Sequence, residues 1–168
     1  GFAQLEKVQQ AYDYVTQSKL DSAQILIDIA IQDPEAAKDF QSWYIRGFIY
    51  KEIYKQKEVS DYKSPARDLS IEALKKALEL DVEKQQSASI LQNLKFLGSK
   101  YKNDAIKLMD TINFETYEEL FEKFIATYKI CDPGFVEKSN RIEYYLALSY
   151  KFQEAFEQVN TTHTLELS

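Results

Sequence analysis

The sequence predicts an all-α protein of antiparallel helical hairpins, about seven helices in all. Three observations carry this reading. Four glycines and three prolines among 168 residues leave too few turn formers for an all-β chain. Lys, Glu, Gln, Leu and Ala, which favour helix, are plentiful. Apolar residues recur at threes and fours through most of the length, the period of one helix face.

The first helix is predicted from about Gln4 to Thr16, through Leu5, Val8, Ala11, Tyr12 and Val15. A polar break at Ser18 to Asp21 supplies a cap, and a second helix runs from about Leu20 to Ile31 until Asp33-Pro34 stops it. A third, from about Glu35 to Lys55, is apolar over much of its circumference and so belongs in the middle of the structure. Lys55 to Lys63 reads as a surface loop, and Ser64-Pro65 as a cap followed by proline at the first helical position, opening a helix to Leu80. Asp81 marks the next break. One long helix is expected from about Glu83 to Asp110, bent at Gly98, then a turn at Asn113 to Glu115. Thr116 to Glu119 and Asn140 to Glu143 have the capping-box form, opening helices to about Ile130 and Val159. These elements predict a single domain over 4–159, with hairpins at about 4–33, 35–81 and 83–131, a terminal helix at 138–159 and a frayed polar tail at 160–168.

The middle hairpin has the sharpest pattern. Trp43, Gly47 and Tyr50 share one helical face, as do Leu74 and Ala77 on the helix expected to fold back on it. Glycine is a poor helix former, so Gly47 inside an apolar run implies another backbone close by.

These residues, with Leu78, resemble the tetratricopeptide repeat (TPR) family, and the likeness covers about residues 4 to 158. First helices align Ala11 with Tyr14, Gly47 with Tyr50, Ala105 with Leu108, and Ala147 with Tyr150. Second helices align Ala23, Ile27 and Ala30 with Ser70, Leu74 and Ala77, and with Leu120, Phe124 and Thr127. The spacings from Ala11 to Gly47, Ala105 and Ala147 exceed the family period of about 34 residues, and Leu94, Leu97, Gly98 and Tyr101 offer a second register for the third repeat. The resemblance implies a short right-handed solenoid with a solvating terminal helix, or an array continuing past Ser168.

A net charge of -6 and a pI near 5.0 argue against nucleic acid as a partner, because a duplex binder gathers Lys and Arg on one face. No stretch approaches the roughly 18 apolar residues of a membrane span. The single Cys131 excludes an internal disulfide, and Cys131 with His163 is too little for a metal site or nucleophilic triad. Carboxylate pairs such as Glu118-Glu119 sit where capping and solubility explain them. No metal, cofactor or enzymatic activity is expected. Gly1-Phe2-Ala3-Gln4 fits residues beside a secretory cleavage site as well as a plain helix lead-in, so export to the periplasm or cell envelope and a cytoplasmic place both stand.

What remains is surface. The resemblance implies a concave groove faced by Tyr12, Tyr44, Phe48, Lys51, Lys102, Ile106, Arg141, Tyr144 and Lys151. Packing of Tyr12, Tyr44 and Phe48 on one another is the competing account. The family's carboxylate grip is not expected, since Val8 and Tyr12 stand at its first two positions. The expected function is a non-enzymatic protein-protein interaction module or scaffold binding a peptide or partner segment. The alternative is an assembly subunit using the aromatic surface for homo-oligomerisation, so monomer and homodimer both remain open.

Overall fold

The computed structural model describes residues 2–108 and 114–167, apart from the side chains of Phe114, Ser139, Glu143 and Ala147. It is 85% helix, with about eight helices and no strand among the described residues. They are α1 (Phe2–Thr16), α2 (Leu20–Ala30), α3 (Pro34–Lys38), α4 (Phe40–Ile53), α5 (Pro65–Leu80), α6 (Ser87–Leu108), α7 (Phe114–Cys131) and α8 (Glu137–Leu167). The chain divides into two compact units, Gly1–Lys100 and Tyr101–Ser168, where the sequence predicts one domain.

Capping chemistry sets the boundaries in the first unit. α1 ends with Ser18 at φ 59, and the N–H groups of Ser18 and Lys19 donate back to the Val15 and Tyr14 carbonyls. That is a Schellman closure, here with serine in the left-handed position. Ser18 therefore closes α1; α2 has no side-chain cap.

Asp33 accepts from the Glu35 and Ala36 amides, so Pro34 opens a short helix as well as following the end of α2. Asp39, in extended conformation, then accepts from the Ser42 N–H and starts α4. Asp39 thus splits the helix predicted over 35–55. The Trp43 indole donates to the Ala37 carbonyl (2.9 Å) across the break.

The predicted loop after Lys55 begins instead with a π-helical turn, Tyr54–Glu58, that prolongs α4. It brings the Glu58 carboxylate to the Ala66 N–H (2.9 Å) and the Ser64 hydroxyl (2.6 Å), while Ser64 Oγ accepts from the Arg67 N–H (3.0 Å). The N-terminus of α5 thus holds a hydroxyl and an anion together, both favoured there. Arg67 is fully buried beneath this cap, donating to the Tyr62 carbonyl (2.8 Å) and lying 5.2 Å from the Tyr54 ring centroid.

α4 sits at the centre of this unit, packed on α5 most extensively and also on α1, α2 and α3. A Cβ built on Gly47 would lie 2.6 Å from Leu74 Cγ and 3.3 Å from its backbone N. The Ser70 hydroxyl donates to the Gly47 carbonyl (2.7 Å) in the same contact. The close approach predicted from glycine is therefore present, and Ser70, Ala73, Leu74 and Ala77 supply the facing surface, all at 0% exposure.

An adjacent side of α4 carries a polar network absent from the sequence reading. Asp28 of α2 accepts from Arg46 Nε (2.9 Å) and the Tyr50 hydroxyl (2.5 Å), and Gln24 donates to that hydroxyl (3.3 Å). Burial, then the bond to Asp28, raises the Tyr50 pKa. The Arg46 guanidinium lies 4.8 Å from the Tyr50 ring and 5.9 Å from that of Trp43, a stacking surface for its poorly hydrated face.

Between α5 and α6, Asp81 accepts from the Gln85 and Gln86 amides (both 2.8 Å) and the Ser87 hydroxyl (2.9 Å). The long helix consequently begins at Ser87, four residues after the expected start. It stays α-helical through Gly98. Its predicted end near Asp110 and the first residue of the predicted turn, Asn113, lie outside the described residues; Phe114 and Glu115, expected in that turn, instead open α7.

In the second unit, aromatic packing joins α7 to α8. Phe121 stacks on Tyr144 with centroids 4.1 Å apart, and Phe124 touches Tyr128 and, edge-on, Phe135. Neither predicted capping box marks a helix start. α7 already includes Thr116, which is buried within its first turn, and α8 begins at Glu137 with Asn140 inside it, its side chain donating to the Val136 carbonyl. The predicted frayed tail is helix to Leu167. No glycine or proline follows Gly134, and the hydroxyls of Thr161, Thr162 and Thr164 bond the carbonyls four residues back.

Two outcomes test this account. Gly47→Ala must displace Leu74 or separate the helices, and should destabilise by about 2 kcal/mol in urea unfolding, the usual size of an overpacking penalty. At Asp81, burial raises the carboxyl pKa, but the amides of Gln86 and Gln85 and the Ser87 hydroxyl hold it below the ordinary value. Its contribution is therefore complete above the ordinary carboxylate pKa and lost as pH falls through the depressed one. Thermal melts at neutral pH and about pH 3 should show Asp81→Asn less stable than wild type at the former and closer to it at the latter.

Candidate functional site

The first unit brings part of the predicted surface together. Tyr12 and Phe48 project from α1 and α4, their ring centroids 6.1 Å apart and tilted by 44°. Tyr12 remains 40% exposed. One turn beyond Phe48, Lys51 places Nζ 4.6 Å from its ring centroid. The same ammonium donates to Asn93 Oδ1 of α6 (2.5 Å) and lies 3.9 Å from Glu52 Oε1. Tyr44, one turn before Phe48, is partly exposed.

Sequence explains why these side chains share a side. Tyr44, Phe48 and Lys51 are spaced by four and three, the helical neighbour spacing, while Gly47 and Tyr50 lie on faces consumed by α5 and α2. Asn93 was missed, since nothing local marks it as a partner of Lys51. Its own amide is oriented by donation to the Ser89 carbonyl (2.8 Å), which turns Oδ1 toward the lysine.

Burial lowers the Lys51 pKa from the ordinary lysine value, partly opposed by Glu52, with Lys55 adding to the lowering. This patch offers a partly desolvated ammonium over the Phe48 ring, with the Tyr12 ring against Phe48. Such a set attracts an anionic or carbonyl oxygen together with an apolar side chain.

The second unit treats its five predicted residues differently. Tyr144 is only 4% exposed, stacked in the core on Phe121, and so is not a contact surface. The sequence placed it on a groove because its spacing matches the first-helix pattern, whereas the aromatic cluster of α7 draws it inward. Arg141 is held between Glu137 (3.0 Å) and Glu122 (2.7 Å), which raise its pKa further. It reads as a clasp between α7 and α8. The Lys102 ammonium covers the Phe124 ring at 5.4 Å. Ile106 is exposed, and Lys151 is exposed near Glu154 (3.8 Å).

Among the described residues no cluster of three His, Cys, Asp or Glu side chains is placed to hold a metal, and no helix is long and apolar enough to cross a membrane. Compared with known proteins, the chain matches no family model, no curated protein and no solved structure.

The environment of Lys51 makes a measurable prediction. With its folded pKa below the unfolded one, this group contributes instability while charged, and stability rises as pH climbs between the two values. In an NMR titration the Lys51 side chain should deprotonate below the ordinary lysine value, and Asn93→Ala should not restore that value, because burial rather than the amide is the largest cause.

Proposed function

We propose that this chain is a non-enzymatic protein-protein interaction module, with its hairpins arranged in the manner of the tetratricopeptide repeats it resembles. Tyr12, Tyr44, Phe48 and Lys51 form the surface that holds a peptide or partner segment. The supporting observation is the ring contact of Tyr12 with Phe48 and the lysine seated beside it against Asn93. Aromatic rings provide large contact area at small entropic cost, and a half-buried ammonium gives direction to an otherwise apolar contact. The acidic charge makes nucleic acid a poor partner in this reading.

Two side chains separate this function from mere packing. Tyr12 and Phe48 touch each other, so a structural role alone predicts lost stability without lost recognition. Capture from an extract of the native organism should yield a partner that the Tyr12→Ala/Phe48→Ala variant loses by at least tenfold in affinity, about 1.4 kcal/mol, while its circular dichroism stays helical. Undiminished capture by that variant would falsify the surface.

A further inference from the structure

Between Glu83 and Asp104 the chain carries four lysines and no acid, although acids outnumber bases 27 to 21 over its whole length. Most of that stretch is α6. Helical periodicity sets Asn93, Phe96 and Lys100 on one side of α6, where all three are half-buried. The Lys100 ammonium lies over the Phe96 ring, 5.1 Å from its centroid, which repeats on α6 the seat of Lys51 over Phe48 on α4. Asn93 joins the two pairs, because its Oδ1 accepts from Lys51 Nζ.

From α1 across α4 to α6 the surface therefore runs through Tyr12, Phe48, Lys51, Asn93, Phe96 and Lys100. Both ammoniums retain donors. Lys51 uses one of its three on Asn93. Lys100 pairs with no carboxylate among the described residues. Glu52, the one acid of α4, lies 3.9 Å from Lys51 but is bonded by Lys55 at 3.1 Å.

We propose that the occupant of this surface is an acidic peptide segment, with one carboxylate side chain at Lys51, a second at Lys100 and apolar side chains against Tyr12 and Phe48. The inference rests on the interaction surface proposed above and names the chemistry of what it holds.

Charge complementarity selects that occupant. A locally positive stripe draws acids and rejects bases, and the acidic remainder of the chain confines them to it. The rings beneath the ammoniums displace water, so each cation pulls harder on a carboxylate than it would in full solvent. A nucleic acid strand fits less well. Its binders spread cations along several phosphates and leave ring faces open for bases. Here Tyr12 leans on Phe48, and a lysine covers a face of each phenylalanine.

The probe is a display library of random short peptides, flanked by Gly and Ser so that no free chain end enters, selected on the full chain. Selected peptides should be enriched in Asp and Glu over the input library, and a fluorescent copy of one should bind less tightly as salt rises. Lys100→Gln should weaken that copy about fivefold, the loss of one partly exposed charge contact, and Lys100→Arg should recover the affinity. Peptides selected without acid enrichment, or acidic ones held equally by Lys100→Gln, overturn the inference; if Tyr12→Ala/Phe48→Ala still loses them, the interaction surface itself stands. A library that yields no binder, or binders indifferent to Tyr12→Ala/Phe48→Ala, overturns both. Single-stranded oligothymidylate that binds more tightly than any selected peptide, and is lost on Lys100→Gln, overturns the peptide in favour of nucleic acid.

Discussion

The contact between Gly47 and Leu74 is the constraint on which the first unit depends. Where one helix lacks a side chain, its neighbour can bring a leucine against bare backbone, and the helix pair closes to a distance no larger residue permits. Ser70 reinforces the contact by donating to the Gly47 carbonyl, a group already within a helix but with a second lone pair to offer. Once α5 is seated there, the orientation of α4 about its own axis is fixed. Tyr50 and Arg46 then turn toward Asp28 on α2, and Phe48 and Lys51 turn toward Tyr12 and Asn93.

Buried charge in this unit is managed by pairing and by aromatic cover. Arg46 meets one carboxylate and two rings; Arg67 meets a backbone carbonyl and the Tyr54 ring. In each case the guanidinium stem fills apolar space while its head finds a geometric partner, as planar delocalised cations do more readily than an ammonium. Removing Asp28 would leave Arg46 buried beside rings alone, which is costlier than the pair is favourable. The network therefore fixes how α2 meets α4 more than it adds net stability.

The second unit follows a different economy. Its core is a run of tilted and edge-on rings from Phe121 through Phe124 to Phe135, with Tyr144 of α8 stacked on Phe121 and lysines laid across Phe124 and Tyr101. Arg141 and Lys129 tie the start of α8 to α7 and to Glu137, drawing that carboxyl below its ordinary pKa through the Lys129 bond first and the Arg141 bond second. Along α8 the ring cluster takes in Tyr144 and Tyr145, while Tyr150 is exposed.

The sequence by itself determined the helical class, the helix faces and the meaning of Gly47, because periodicity and glycine's missing Cβ are local facts. Ser64 and Asp81 were also legible as boundaries, since a short polar side chain ahead of an apolar run has few other uses. Only the tertiary structure decided the rest. Asp33-Pro34 was legible as a stop, but Asp39 was not, and its cap on Ser42 divides the helix expected over 35–55. The Thr116 and Asn140 boxes matched in letters, yet neighbouring residues carried each helix past them. Lone charges within apolar runs, Asp28 and Arg46, were the available signal for a buried pair, but a pair separated by eighteen positions is named only when its helices cross. The candidate surface divides the same way: Phe48 and Lys51 follow from spacing on one helix, while Asn93 joining them and Tyr144 leaving them were set by contacts between helices.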